Sequence, residues 1–143
     1  MRPFYFDSQT PLSLLNQSRN AGERDYNIPQ HTEIHFDTYR AYVAGELPDL
    51  EPWQFFHGHL EFRFKGLEKR YPKRKLVPFA RRSDNDDVAC FDAAQPSDNP
   101  SVIIIHDWAS EGWENHGAYP DFLAWIELAK QEAKEWKDFW DKQ

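Results

Sequence analysis

Residues able to act as acids and bases gather in one short segment of the last third of the sequence. His106 and Asp107 follow an apolar run, and Glu111, Glu114 and His116 come soon after them. Imidazole and carboxylate groups carry out general acid–base chemistry, so a hydrolytic site is one interpretation. Successive residues on a strand point to opposite faces, however, so His106 and Asp107 cannot form a simple dyad while the strand continues. The sequence also lacks a nucleophile elbow, a glycine-rich phosphate loop and an HExxH motif, which argues against an enzyme.

Two other clusters suggest metal ligands. His57 and His59, separated by one glycine, offer two imidazoles, but a zinc site needs three or four ligands and no cysteine or carboxylate stands at a diagnostic spacing. Asp84, Asp86 and Asp87 resemble a calcium loop but lack its glycine and terminal glutamate. We therefore expect no bound metal and no cofactor.

The single cysteine bears on the compartment of the protein. Cys90 can form no intramolecular disulfide, and its place within an apolar segment is typical of a small core residue. The first residues do not show the pattern of a secretory signal peptide, a charged segment followed by an apolar one. The longest apolar run, residues 102–105, is far too short to span a bilayer. These features predict a cytoplasmic protein with no membrane partner.

The elements that must position these residues follow from hydrophobic periodicity. The length of 143 residues favours one domain, residues 1–143. Residues 1–50 form a helical or wrapping N-terminal part of this domain, with a short helix beginning at Pro11. Apolar runs separated by polar turns predict successive strands at 76–80, 88–92 and 102–105, after a short strand around Trp53. Apolar residues three or four apart predict helices at 36–44, 60–71 and 120–136. The predicted fold class is α+β, a small and mostly antiparallel meander sheet with packed helices.

Charge is unevenly distributed along the chain. The net charge is −7, yet residues 63–82 hold nine basic residues and one acidic residue. This basic block, with aromatic residues interleaved, is the part of the sequence that suits a nucleic acid. Acidic flanking segments would repel phosphate, so we expect them to neutralise the block partly and expect no binding to nucleic acid.

The region from residue 76 to residue 123 resembles the SMI1/KNR4 family, also called the SUKH superfamily. The resemblance rests on a strand ending in Val77-Pro78-Phe79-Ala80, the acidic turn after it, the strand Val88-Ala89-Cys90-Phe91-Asp92, the run Val102-Ile103-Ile104-Ile105 followed by His106-Asp107-Trp108, and the helix start Tyr119-Pro120-Asp121-Phe122-Leu123. It extends over the chain from near Trp53. Residues 1–50 carry no part of it.

This resemblance implies an α+β domain without catalytic activity. Bacterial members commonly act as immunity proteins that bind and neutralise polymorphic or contact-dependent toxins, often nucleases, so a cognate toxin domain is the expected partner. An acidic, aromatic-rich surface suits a basic partner. The candidate partner-binding residues are Asp84, Asp86, Asp87, Asp107, Trp108, Glu111, Trp113 and Glu114.

Two alternatives stay open at this point. The first is a nucleic-acid-binding or regulatory scaffold module that uses the basic block, and the second is a metal-dependent hydrolase. Neither the identity of the partner nor the oligomeric state follows from the sequence.

Overall fold

The computed structural model describes residues 26, 28, 33–58 and 60–143. The short helix expected at Pro11, most of the N-terminal part and His59 lie outside these residues. The helices and strands, numbered in chain order, are α1 Asp37–Ala44, β1 Trp53–Phe55, α2 Leu60–Arg70, β2 Leu76–Arg82, β3 Asp87–Asp92, β4 Val102–His106, β5 Asn115–Tyr119 and α3 Phe122–Asp141.

The five strands form one antiparallel meander in the order β1-β2-β3-β4-β5. The α+β class is therefore confirmed, and the three strands predicted at 76–80, 88–92 and 102–105 are present as β2, β3 and β4. Pro78 has no N–H for a strand ladder, and the β2–β3 register shifts between Pro78 and Ala80. A proline inside a strand thus coincides with a bulge.

The fifth strand is a correction, because the sequence predicts no strand between residues 105 and 120. Asn115–Tyr119 pairs with β4 at the edge of the sheet. This segment reads NHGAY and contains no β-branched residue, so its composition does not indicate a strand. Its strand conformation is set by the ladder with β4 and not by local propensity.

Alternation along the strands separates two hydrophobic cores, one on each face of the sheet. Ala89 and Phe91 of β3 pack in the core that includes side chains of α1 and α3, whereas Val88 and Cys90 pack in the core that includes side chains of α2. Cys90 is fully buried as predicted, and burial raises the pKa of its thiol far above the ordinary value. Helices thus cover both faces of the sheet and fix the position of the β4–β5 end.

The long C-terminal helix begins one residue after Asp121, whose carboxylate accepts a hydrogen bond from the backbone N–H of Ala124 at 2.8 Å. Phe122 and Trp125 anchor its apolar face in the core. The helix continues to Asp141, beyond the end predicted at 136. Among the residues placed by the structure, no helix has the length and apolar character needed to cross a bilayer.

Candidate functional site

The connection between β4 and β5, residues 107–114, is named here the tryptophan loop. Its two indoles are among the most exposed large apolar side chains of the described residues: Trp108 is 68% exposed and Trp113 is 78% exposed. Trp108 has φ of 70° and Gly112 has φ of 97°, so both residues lie in the left-handed region. A non-glycine residue adopts this conformation only where surrounding contacts hold it there.

Asp107 supplies the first of these contacts. Its side chain is fully buried, and its two oxygens accept hydrogen bonds from Arg70 Nε at 2.7 Å and Arg70 Nη2 at 2.6 Å. Arg63 Nη1 donates a further hydrogen bond at 3.0 Å, and the backbone N–H of Trp108 donates one at 2.9 Å. Charge-assisted, two-pronged pairing of this kind fixes geometry as well as charge, so the start of the loop is tied firmly to α2.

The same arginine holds the first indole. The guanidinium carbon of Arg70 lies 3.7 Å from the centroid of the Trp108 ring, which is a cation–π distance. Tyr71 lies just beyond α2, and its hydroxyl donates to the carbonyl of Ala109 at 2.9 Å. One face of the indole is therefore supported while most of its surface stays accessible to solvent.

Glu114 closes the other end of the loop. It is buried, and its carboxylate accepts hydrogen bonds from Arg74 Nε at 2.6 Å and from the backbone N–H of Gly112 at 2.6 Å. Burial alone would raise the pKa of this carboxyl, but hydrogen bonds from backbone N–H groups and the interaction with Arg74 hold the pKa below its ordinary value. Glu114 is therefore charged at neutral pH and fixes the second end of the loop.

These contacts correct one assumption drawn from the sequence. Asp107 and Glu114 were placed among the exposed acids that would face a basic partner, yet both are buried and neutralised by arginines of the same chain. Glu111 of the same loop is exposed as expected. The two buried carboxylates therefore position the loop, and its exposed surface consists of other residues.

The acidic turn, residues 83–87, lies against the tryptophan loop. The backbone carbonyl of Asp86 accepts a hydrogen bond from the backbone N–H of Asp107 at 2.9 Å. Asp84 accepts two hydrogen bonds from Arg82, at 2.8 and 3.0 Å, and that side-chain pairing holds the pKa of Asp84 below its ordinary value. Asp86 is exposed, whereas Asp87 is half-buried and bonded to histidine. The two segments singled out from the sequence thus form one continuous region.

His106 and Asp107 engage different partners. His106 Nδ1 lies 2.9 Å from Asp87 Oδ1, whereas Asp107 binds Arg63 and Arg70. β4 ends at His106, so Asp107 lies in the turn that follows the strand. Each of the two side chains is thus hydrogen-bonded to groups other than its sequence neighbour.

The basic block supplies the positioning groups that sequence reasoning missed. Arg63, Arg70 and Arg74 bind the two carboxylates of the loop, and Arg82 binds Asp84 and Glu132. The prediction that acids outside the block partly neutralise it is confirmed for these four arginines. Arg63 and Arg70 are seven residues apart on α2, a spacing that places both on one face and could have indicated a shared partner.

His57 is exposed at the end of the segment that follows β1. Its neighbour in the HGH sequence, His59, lies outside the described residues, so the proposed imidazole pair has no structural description.

Comparisons with known proteins returned nothing: no family model, no curated protein and no solved structure matches the chain. The resemblance to the SMI1/KNR4 family accordingly stays a prediction from the sequence.

Proposed function

We propose that this chain is a non-catalytic protein-binding domain that acts as an immunity protein and neutralises a cognate toxin domain. The observation that carries the proposal is the tryptophan loop, in which two exposed indoles stand on a backbone tied down by buried carboxylates. The toxin part of the proposal rests on the sequence resemblance to the SMI1/KNR4 family. The binding part rests on the loop.

Exposed tryptophans on a fixed backbone are suited to protein recognition. Tryptophan is enriched among the residues that contribute most to protein interfaces. Ordering a mobile loop on binding costs conformational entropy, and a loop already held by Asp107 and Glu114 avoids much of that cost. The contact with Arg70 lowers this entropy cost further for Trp108, because it orients the indole ring before a partner binds.

Charge supports a basic partner. The chain has a net charge of −7, exposed Glu111 lies between the two tryptophans in the loop, and exposed Asp86 belongs to the acidic turn that is hydrogen-bonded to the loop. Acidic groups around an apolar centre attract the basic, phosphate-binding surface of a nuclease and raise the association rate. The same arrangement disfavours the nucleic-acid alternative, because four arginines of the basic block already bind carboxylates within the chain.

Co-expression tests this function in cells. Any toxin domain encoded by a gene next to this one is expressed from an inducible promoter, with or without the chain, and growth is measured. We expect the wild-type chain to restore growth and the double substitution Trp108→Ala and Trp113→Ala to lose that protection.

The matched control is Trp140→Ala. Trp140 is 54% exposed but lies near the end of α3, which packs on the other face of the sheet from α2. Protection that depends on Trp140 and not on the loop would contradict the proposed surface, and a neighbouring toxin that the chain neither binds nor neutralises would contradict the immunity function.

A further inference from the structure

Three potential metal ligands converge beside the tryptophan loop. His106 Nδ1 lies 2.9 Å from Asp87 Oδ1, and His116 Nδ1 lies 3.0 Å from the same oxygen. The two imidazole rings are stacked, with centroids 4.4 Å apart and an interplanar angle of 18°. One possible ligand atom from each of the three residues lies within 4.8 Å of the other two. Among the residues that the structure describes, this is the one group of three histidine, cysteine or acidic side chains that lies so close together.

The sheet register brings these residues together. Asp87 is the first residue of β3 and pairs directly with His106, the last residue of β4. On β5 the register is irregular, since Gly117 pairs with Ile104 and Asn115 with Ile105, which leaves His116 as an extra residue. A bulge re-aims the side chain at that position, and here the imidazole of His116 stands beside that of His106.

We propose that Asp87, His106 and His116 bind a divalent transition-metal ion of the zinc type. Two imidazoles and one carboxylate form a donor set that suits zinc, and three protein ligands leave coordination positions open. Ligand atoms about 2.1 Å from a tetrahedrally coordinated ion stand about 3.4 Å apart, so the two Nδ1 atoms, which lie 2.9 and 3.0 Å from Oδ1, would move outward by about 0.4–0.5 Å when an ion binds. A neutral imidazole that binds through Nδ1 keeps its proton on Nε2, so neither histidine has to lose its only proton.

The exposure of the cluster allows an ion to enter from solvent. The side chain of His116 is 46% exposed and that of His106 is 36% exposed, whereas Asp87 is 14% exposed and held in place by the sheet. An open coordination position at such a site takes a water molecule or a side chain from a bound protein.

Occupancy of this site would act on the tryptophan loop, because His106 immediately precedes the loop and His116 follows its last residue by two positions. An ion that joins both histidines to β3 would tie the two ends of the loop together. The sequence-based expectation of no metal concerned the His57/His59 pair and the acidic turn. The sequence does not indicate this ligand set because Asp87 is 19 residues from His106, and only the pairing of β3 with β4 brings the two side chains together.

Zinc titration of the full-length protein tests the proposal. The protein is freed of metal with a chelator, and Zn²⁺ is titrated against a zinc-sensitive dye. We expect one equivalent to bind, and we expect His116→Ala and Asp87→Asn each to weaken that binding at least about tenfold. The melting temperature should rise with Zn²⁺ for the wild type and not for these variants, because an ion that binds the folded state stabilises it.

Two histidines serve as controls. His35 pairs with Asp98 at 2.7 Å but belongs to no group of three ligands among the residues that the structure describes, and His57 belongs to the HGH sequence. His35→Ala and His57→Ala should leave Zn²⁺ affinity unchanged. Absence of stoichiometric binding, binding that survives both His116→Ala and Asp87→Asn, or binding lost through His57→Ala would each overturn the proposal. His116 lies on an edge strand and is exposed, and melting without metal verifies that its variant folds.

Discussion

Two buried carboxylates determine the shape of the candidate binding surface. Asp107 and Glu114 lie at the two ends of the tryptophan loop, and each carboxylate accepts hydrogen bonds both from an arginine side chain and from a backbone N–H. A buried ion pair contributes modestly to net stability compared with a well-packed apolar pair, but removal of one partner leaves the other as a buried, unpaired charge. Residues that touch no partner can therefore control the presentation of Trp108 and Trp113.

Asp107→Asn should destabilise the fold. The amide keeps the shape of the side chain but removes the charge that balances Arg63 and Arg70, so we expect a loss of about 2–4 kcal/mol in the free energy of unfolding. Urea unfolding measures this difference. Glu111→Gln, in the same loop but exposed, should change the free energy by less than about 0.5 kcal/mol. Equal effects of the two substitutions would contradict the structural role of Asp107.

Glu114 should give a distinct dependence of stability on pH. Its folded-state pKa is lowered from 4.5, so its contribution is complete above that value and is lost as the pH falls through the lower folded-state pKa. Urea unfolding of the wild type and Glu114→Gln from pH 7 to pH 3 should give a stability difference that is constant near neutrality and shrinks below the ordinary pKa of glutamate. A difference that grows on acidification would contradict the charged, hydrogen-bonded state of Glu114.

At the scale of elements, the loop depends on one backbone conformation that side chains rarely adopt. Gly112 has φ of 97° and no atom within 4 Å of the position of an added Cβ, so substitution there meets strain from the backbone and not from a clash. Gly112→Ala should therefore cost about 1–2 kcal/mol. Gly45→Ala, at φ of −89°, should be neutral or slightly stabilising. Thermal unfolding compares the two, and an equal effect would show that the loop does not need the left-handed conformation.

Strong periodicity explains which elements were predictable. The strands β2, β3 and β4 consist of apolar or β-branched runs between polar turns, and the C-terminal helix keeps an apolar face over several turns, so their patterns identify them. The sequence of β5 has no such pattern, and β5 forms a strand because its backbone pairs with that of β4. Helix α3 exceeds its predicted end because side-chain contacts four residues apart continue past residue 136: Lys134 Nζ lies 2.9 Å from Asp138 Oδ2, and the ring centroids of Trp136 and Trp140 are 5.7 Å apart.

The site was predictable to a smaller extent than the fold. Composition singled out the tryptophans and acids of the region, but it could not separate exposed Glu111 from buried Glu114, since burial depends on whether an arginine lies within reach. The contacts of Asp107 with Arg63 and Arg70 span 44 and 37 residues. Pairings at such separations come from the packing of α2 against the sheet, which hydrophobic periodicity alone does not specify.

For the molecule as a whole, the internal use of the basic block sets the character of the surface. Arginines that balance buried or neighbouring carboxylates contribute little attraction to external phosphate, so under the proposed function the net charge of −7 would attract a basic partner. Apolar contact at the two tryptophans would then slow the dissociation of a bound partner. Charge should therefore govern association, and the indoles should govern dissociation.

The dissociation rate of the complex between the purified chain and the toxin domain that we propose as its partner tests most directly whether the tryptophan loop is the binding surface. Surface plasmon resonance at fixed ionic strength should give dissociation about tenfold faster or more for Trp113→Ala than for the wild type, which corresponds to a loss of at least about 1.4 kcal/mol. Trp140→Ala should dissociate at the wild-type rate. An unchanged rate for both Trp113→Ala and Trp108→Ala, in variants that unfold at the wild-type temperature, would contradict the assignment of this loop as the binding surface.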